Sequence, residues 1–145
     1  MLQVNIKSIG GVIPAYAHDG DAGMDLRAYL PNGGTYINPG SRALIPTGLI
    51  MEIPDGYELQ VRPRSGLAIK QGITVLNTPG TVDSPYRGEI CVILINLGED
   101  NFSIKHGDRI AQGVFNKVEQ AEFTVVEELT DTDRGAGGFG HTGTN

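Results

Sequence analysis

Apolar and polar side chains alternate along much of the chain, and this alternation predicts short β-strands. Residues 2–7 and 57–62 place every second side chain on an apolar face, as expected for strands with one face in a core and the other in water. Glycine and proline, 21 and 8 in number, occur at short intervals between such stretches and indicate turns. The same reasoning predicts further strands at residues 35–37, 42–53, 89–97, 109–118 and 123–128.

Helical periodicity is not sustained anywhere in the sequence, although residues 65–70 could form one short helix. Many short strands separated by turns are typical of two packed antiparallel sheets. We therefore predict an all-β fold, a β-sandwich or jelly roll, with one short helix.

One predicted strand breaks the alternation, because residues 90–95 are apolar at every position. Side chains of a strand point to both of its faces, so both faces of this one need a cover. The second sheet supplies one cover. The other is either a second subunit or a loop of the same chain, and the pattern leaves both open.

The character of the chain changes after residue 128, where a glycine-rich tail follows that has no means of forming a core. A frayed terminus is the ordinary interpretation of such a tail. Phe139 favours another one, because Arg134 precedes this lone aromatic and His141 and Thr142 follow it. These residues predict a flexible arm that stacks an aromatic ring on a ligand and surrounds the charged part of that ligand. We therefore expect residues 1–130 to form the β domain and residues 131–145 to form an arm that closes over the site.

Length and composition limit the classes of function. A chain of 145 residues suits one domain. It has no apolar stretch of about 18 residues and no signal-peptide pattern, so we expect a cytoplasmic protein without a membrane partner. The net charge of −6 argues against nucleic acid as a partner, and an anionic ligand would have to be held locally by arginines. The single cysteine, Cys91, is expected to be a small core residue.

Residues 61–68 contain the first candidate site. A strand ending at Pro63 would be followed by a short helix that Ser65 can cap, and the backbone N–H groups there could bind an anion beside the guanidinium of Arg64. An ordinary capped turn would have the same sequence.

Residues 77–88 form a second candidate, a hairpin-like loop rich in proline and glycine. Asp83 at its inner edge could accept a proton from water, and Tyr86 offers a flat wall for a sugar or base. An Asx-turn at Asp83 and simple packing of Tyr86 are the alternatives.

Two further segments carry polar groups on predicted strands. Asp25 and Arg27 share one face of residues 22–28, where they could serve a ligand or form a surface ion pair. Gln112 lies on an apolar face of residues 107–115, and its amide needs a backbone or ligand partner.

Taken in order, these segments resemble the five motifs of the trimeric deoxyuridine triphosphatase (dUTPase) family. The resemblance spans residues 22–143 and rests on five short segments, namely 22–28, 63–68, 80–88, 107–112 and 134–140. Each segment is modest alone, but five in this order are specific. The resemblance implies a homotrimer with active sites shared between subunits, which would explain both the doubly apolar strand and the tail.

The resemblance also implies roles for the residues that would contact the nucleoside. Asp83 matches the carboxylate that activates water and contacts the 3′-hydroxyl. Tyr86 matches the tyrosine that stacks under the sugar and excludes a 2′-hydroxyl. The uracil edge would be read by Asn77 and by the backbone of the hairpin that follows it, at Gly80 and Val82. dUTP would thus be distinguished from dCTP, dTTP and UTP.

The remaining matches concern the phosphates and the metal. Asp25 corresponds to the acidic residue that holds hydrated Mg²⁺ through water, whereas Arg109 is expected to support the fold through an internal ion pair. The residues of the β domain that match the family's phosphate binders are Arg64, Ser65, Gly66 and Gln112. In the tail, Phe139 would lie over the base, and the γ-phosphate would be clamped by Arg134, Gly140, His141 and Thr142.

The implied reaction is attack of an Asp83-activated water on the α-phosphorus of dUTP, with dUMP and pyrophosphate as products and Mg²⁺ as cofactor. Two residues depart from the common family pattern: Pro85 stiffens the loop before the tyrosine, and His141 replaces a serine. The related dCTP deaminases are disfavoured because residues 90–96 contain no glutamate. A non-catalytic β-sandwich is disfavoured because the loop carboxylate and the tail are both present.

Overall fold

The computed structural model describes residues 1–143. In this part of the chain it contains eleven strands and one helix. The strands are β1 (Asn5–Ser8), β2 (Met24–Arg27), β3 (Thr35–Ile37), β4 (Arg42–Pro46), β5 (Leu49–Glu52), β6 (Tyr57–Arg62), β7 (Ile73–Val75), β8 (Gly80–Val82), β9 (Cys91–Asn96), β10 (Phe102–Ile104) and β11 (Arg109–Lys117), and the helix is α1 (Ser65–Gln71).

The strands pair antiparallel in four sheets. A four-stranded sheet has the order β2-β11-β6-β8, a three-stranded sheet the order β4-β9-β7, and two pairs are formed by β1 with β5 and β3 with β10. Their inner faces enclose a core that includes Leu26, Ile45, Leu59, Val92 and Leu94, each at most 1% exposed. The prediction of an all-β sandwich with one short helix is therefore confirmed.

Strand β6 shows why the alternating pattern predicts well. Leu59 and Val61 are 0% and 3% exposed, and they face the core from consecutive inward positions. Arg62, at the end of the strand, is exposed. The inward side chains bury apolar area, which is the main term that fixes the register of a half-buried strand.

The single strand predicted at residues 42–53 is instead two, β4 and β5. Thr47 and Gly48 separate them, and Gly48 has a φ of 70°, a left-handed value that glycine adopts readily. Thr47 is fully buried, and its hydroxyl donates to the carbonyl of Ile90 at 2.6 Å. We call residues 47–49 the Thr47 turn.

The strand predicted at residues 123–128 is wrong. No strand forms there, and Phe123 and Val125 are 90% and 98% exposed. A strand needs a neighbour to satisfy its backbone groups and an apolar surface for its side chains. Within the described chain this segment has neither. Strands β7, β8 and β10, with three residues each, are not predicted, since three positions carry little periodic signal.

The two faces of β9 differ in burial. Val92 and Leu94 are 0% exposed on the inner face, whereas Cys91, Ile93 and Ile95 are only partly buried on the other. Leu44 of β4 lies opposite Ile93 and is 64% exposed. We call these four residues (Leu44, Cys91, Ile93 and Ile95) the outer face. The described chain does not cover it fully.

Cys91 is therefore not the core residue that the sequence predicts. It is partly exposed on the outer face, because the side chains of β9 that point into the core are those of Val92 and Leu94. Burial, together with the carboxylate of Glu89, raises the pKa of its thiol above the usual range.

In residues 1–143 no helix is long and apolar enough to cross a membrane.

Candidate active site

A cleft of about 470 Å³ brings together the residues that the sequence assigns to phosphates and metal. Asp25 on β2 lies directly opposite Gln112 on β11, and the end of β6 delivers the beginning of α1 beside them. We call this cavity the Asp25 cleft. Of the predicted site residues, it is lined by Asp25, Arg64, Ser65, Gly66 and Gln112.

Asp25 is held by two arginines. Its Oδ1 accepts from Nε of Arg64 at 3.0 Å, and its Oδ2 from Nη1 of Arg109 at 3.4 Å. The side chains of Asp25 and Arg64 are 31% and 26% exposed, so solvent screens the pair only in part. Arg109 makes the ion pair that the sequence analysis expects of it, with a side chain that is 52% exposed.

Arg27 is not the partner of Asp25, contrary to one alternative drawn from the sequence. Its Nη1 donates to the carbonyl of Gly107 at 2.9 Å. Arg109 takes the position beside Asp25 instead, because β11 pairs with β2.

Ser65 does not cap α1 as predicted. The N-cap residue is Arg64, in an extended conformation, and no side chain makes a capping hydrogen bond. Ser65 is the first residue of the helix itself and is exposed in the Asp25 cleft. Its hydroxyl thus faces the cavity without a capping bond.

Gly23 leaves room for the amide of Gln112. A Cβ at position 23 would lie 2.5 Å from Oε1 of Gln112, which is closer than real Cβ contacts. A side chain there would push the flexible amide aside, so glycine at this position lets Gln112 keep its place in the cleft.

A second cavity, of about 300 Å³, is lined by three of the predicted nucleoside residues, Val82, Asp83 and Tyr86. Strand β8 leads into a turn in which the N–H of Tyr86 donates to the carbonyl of Asp83 at 3.1 Å. This turn exposes Asp83 and places Tyr86 on the same cavity, which Val82 and Glu89 also line. We call this cavity the Asp83 pocket.

Asn77 and Gly80 lie at the base of the hairpin that carries the turn. Gly80 is buried and pairs with Val61 of β6, and a Cβ on it would lie 3.4 Å from Nδ2 of Asn77. Asn77 is exposed. The two residues are thus adjacent, as a shared role in reading one base edge requires.

The Asp25 cleft and the Asp83 pocket share no lining residue. The tail forms a third group, in which Arg134, Gly140, His141 and Thr142 line a separate cavity with Asp133. Phe139 is fully exposed and has a φ of 52°. A single chain therefore gathers the predicted residues into three groups and does not bring the groups together.

Sequence reasoning missed several residues at these cavities. His18 and Asp21 line the Asp25 cleft, where Nδ1 of His18 lies 3.3 Å from Oδ2 of Asp21. Glu89 lines the Asp83 pocket. His18 and Asp21 lie just before the first motif, and this proximity was the one signal that pointed to them.

The donor set of the Asp25 cleft suits a hydrated metal ion. Among the described residues no group of three or more histidine, cysteine, aspartate or glutamate side chains could hold a metal. Asp21 and Asp25 are the carboxylates that line the cleft. Mg²⁺ in nucleotide sites keeps several water ligands and is also coordinated by phosphate oxygens. One or two carboxylates within reach of its water shell are therefore sufficient to hold it.

Comparisons with known proteins identify the family of the chain. The dUTPase family model matches residues 11–143. The deoxyuridine 5′-triphosphate nucleotidohydrolase of Caulobacter vibrioides is 60% identical over 132 residues, which cover 90% of this chain and 85% of the relative. The protein of the same name from Fusobacterium nucleatum is 56% identical over 146 residues and covers 99% of both chains.

Solved structures also match along the whole fold. The dUTPase of Staphylococcus bacteriophage 80alpha, determined with dUpNHpp, aligns with a TM-score of 0.82 and 25% identity. The alignment covers 98% of this chain and 99% of the phage protein. Together with the match over residues 11–143 and the bacterial relatives, this shows that the chain belongs to the dUTPase family.

Proposed function

We propose that this chain hydrolyses dUTP to dUMP and pyrophosphate, with Asp83 as the group that activates the attacking water. The observation that carries the proposal is the turn that places the Asp83 carboxylate and the Tyr86 ring on one cavity. An exposed carboxylate can accept a proton from water, and the adjacent ring limits where a sugar can lie. Family membership supplies the substrate class.

Recognition of the nucleoside is assigned to the β8 hairpin and the turn that follows it. Tyr86 would form the wall under the deoxyribose, where a 2′-hydroxyl has no room. Asn77 and the backbone at Gly80 and Val82 would read the uracil edge. Pairing of β8 with β6 supports this role, because it fixes the hairpin against a core strand before any ligand arrives.

Phosphate binding is assigned to the Asp25 cleft. Arg64 presents a planar guanidinium at the cleft, and Ser65, Gly66 and Gln112 add hydrogen-bonding groups around it. Asp25 would hold the water shell of Mg²⁺. Bound Mg²⁺ would neutralise charge on the phosphates and on the departing pyrophosphate.

A homotrimer with shared sites is proposed because the Asp25 cleft and the Asp83 pocket do not meet in one chain. Leu44 and Cys91 belong to the outer face and also line the Asp83 pocket. Association of copies through this apolar surface would therefore bring a neighbour to the edge of the nucleoside pocket. That geometry favours a site completed by the neighbour's Asp25 cleft.

The tail is proposed to complete the site as a flexible arm, residues 131–145, closing over the ligand. Arg134 with Gly140, His141 and Thr142 would clamp the γ-phosphate, while Phe139 would lie over the base. The full exposure of Phe139 supports this role, since an aromatic ring that packs nowhere in the described chain is available for stacking.

Release of pyrophosphate from dUTP, dCTP, dTTP and UTP in the presence of Mg²⁺ tests the proposal. We expect turnover of dUTP to exceed that of the other three by orders of magnitude. Equal turnover of all four would refute the assignment of substrate.

Ammonia release from dCTP is measured in parallel, because it reports the deaminase alternative. We expect none, since the acid nearest to residues 90–96 is Glu89, whose carboxylate accepts the N–H of Gly48 at 2.8 Å. Ammonia without pyrophosphate would identify a deaminase.

A further inference from the structure

The ring of Tyr86 is not fixed by packing, because 46% of the residue is exposed. Its hydroxyl donates to the backbone carbonyl of Glu89 at 2.9 Å. Gly88 lies beneath the ring, where a Cβ would collide with the phenol. The position of the ring in the Asp83 pocket therefore depends on the hydrogen bond to Glu89 and on the close contact with Gly88.

Glu89 is itself anchored to the Thr47 turn. Its carboxylate accepts the N–H of Gly48 at 2.8 Å. The next residue is attached to the same turn by three bonds. The N–H of Ile90 donates to the carbonyl of Leu49 at 2.8 Å, and the carbonyl of Ile90 accepts from the Thr47 hydroxyl at 2.6 Å and from the Thr47 N–H at 3.2 Å. The carbonyl that receives the Tyr86 hydroxyl is thus tied to a turn with a fully buried threonine.

The Thr47 turn is a suitable anchor because it has little freedom. Gly48 has a φ of 70°, and a Cβ on it would lie 2.6 Å from the backbone nitrogen of Gly11 and 2.9 Å from the ring of Tyr29. Gly11 and Tyr29 thus pack closely against the turn at Gly48. Removal of the Glu89 carboxylate from Gly48 leaves this peptide held by the bonds of Ile90 alone, so the carbonyl and the phenol bonded to it can shift.

From these contacts we infer that Glu89 is a positioning residue that selects deoxyribose over ribose by holding the Tyr86 ring in place. The inference rests on the proposed function of Tyr86 as the wall under the sugar. A wall excludes a 2′-hydroxyl only while it stays within van der Waals distance of C2′, since a shift of about 1 Å opens space for an oxygen. Loss of the anchor lets the ring withdraw and admits the ribonucleotide.

The test compares kcat/KM for dUTP and for UTP in the full-length protein and in the variants Glu89→Ala, Glu89→Gln and Tyr86→Phe. Loss of the hydrogen bond that each variant removes predicts that the dUTP/UTP ratio falls about fivefold in Glu89→Ala and in Tyr86→Phe. Glu89→Gln should keep the ratio of the parent, because its amide oxygen can still accept the Gly48 N–H. The matched control is Glu99→Ala, which removes an exposed carboxylate in the β9–β10 connection and should leave both rates unchanged.

The double variant Glu89→Ala with Tyr86→Phe separates positioning from general weakening of the fold. If Glu89 acts through the Tyr86 hydroxyl, its removal has no further effect on the ratio once that hydroxyl is gone. Additive losses, or a single Glu89→Ala that lowers both rates while keeping the ratio, would overturn the inference.

Thermal unfolding of each variant shows whether it is folded. Should Glu89→Ala fail to fold, Tyr86→Phe alone decides, since an unchanged dUTP/UTP ratio in that variant also overturns the inference. Failure of the proposed function is distinguishable, because the parent protein would then release no pyrophosphate from dUTP.

Discussion

The body of the molecule and its C-terminal segment are built in different ways. In residues 1–117 strand pairing and buried side chains position the Asp25 cleft and the Asp83 pocket before any ligand binds. Every residue from 119 to 136 is exposed, and Arg134 makes only a local hydrogen bond, to Gly137 at 2.9 Å. The fold positions the groups of the body, whereas it leaves those of the C-terminal segment exposed, and we propose that a ligand supplies their partners.

The first way to sharpen this comparison is Asp83→Asn, which removes the proposed base from the body. We expect kcat to fall by about 10³-fold, because an amide cannot accept the proton of the attacking water. Binding of a non-hydrolysable dUTP analogue should stay within a few-fold of the parent, as measured by calorimetry. Full activity in this variant would contradict the role given to Asp83.

Truncation before Arg134 removes the arm and leaves the body intact. Turnover should fall by about 10²-fold, since a charged contact to the phosphates is lost in the transition state. The free energy of unfolding should not change, because the removed residues bury nothing in the described chain. Denaturant titration and pyrophosphate release measure the two quantities on one preparation, and an undiminished rate would show that the tail is a frayed end.

Arg64→Lys tests whether the Asp25 cleft depends on guanidinium geometry or only on charge. A lysine keeps the charge but lacks the planar fork that holds Asp25 and faces the phosphates, so we expect kcat/KM for dUTP to fall about tenfold. Arg62→Lys is the matched control, since Arg62 lies on the adjacent strand end and bonds to Gln60 outside the cleft. Equal loss in both variants would count against a specific role for Arg64.

Phe139→Ala should give the smallest change in stability. The ring is fully exposed, so its removal should leave the melting temperature of the parent unchanged while dUTP binds less tightly. Leu59→Ala provides the contrast within the body, where loss of a side chain that is 0% exposed should lower the free energy of unfolding by about 2–5 kcal/mol. A destabilised Phe139→Ala protein would show that the arm packs on the body without ligand.

The sequence predicts those parts of the molecule in which neighbours along the chain are also neighbours in space. Asp83 and Tyr86 are joined by a single turn, and their shared cavity follows from local chemistry. The Asp25 cleft is different, because Arg64 and Asp25 are 39 positions apart and meet only through the order of the strands. Without the family resemblance, the pairing of Asp25 with Arg27 was as plausible as the one observed.

The errors in the fold have the same origin. Periodicity reports which face of a segment is apolar, not whether a partner strand exists, so residues 123–128 resemble a strand although none forms. Likewise the break at Gly48 is invisible in an apolar run, since it depends on the buried bond between Thr47 and Ile90.

The two arginines bonded to Asp25 have a consequence for how ions of opposite charge bind in the cleft. A phosphate that engages Arg64 competes with Asp25 for the same guanidinium, and so it releases a carboxylate oxygen that then favours a cation. By thermodynamic linkage the effect is mutual, because a cation near Asp25 frees the guanidinium for the anion. If the nucleotide and its counter-ion bind there as proposed, the cleft couples their uptake, and each raises the affinity of the other.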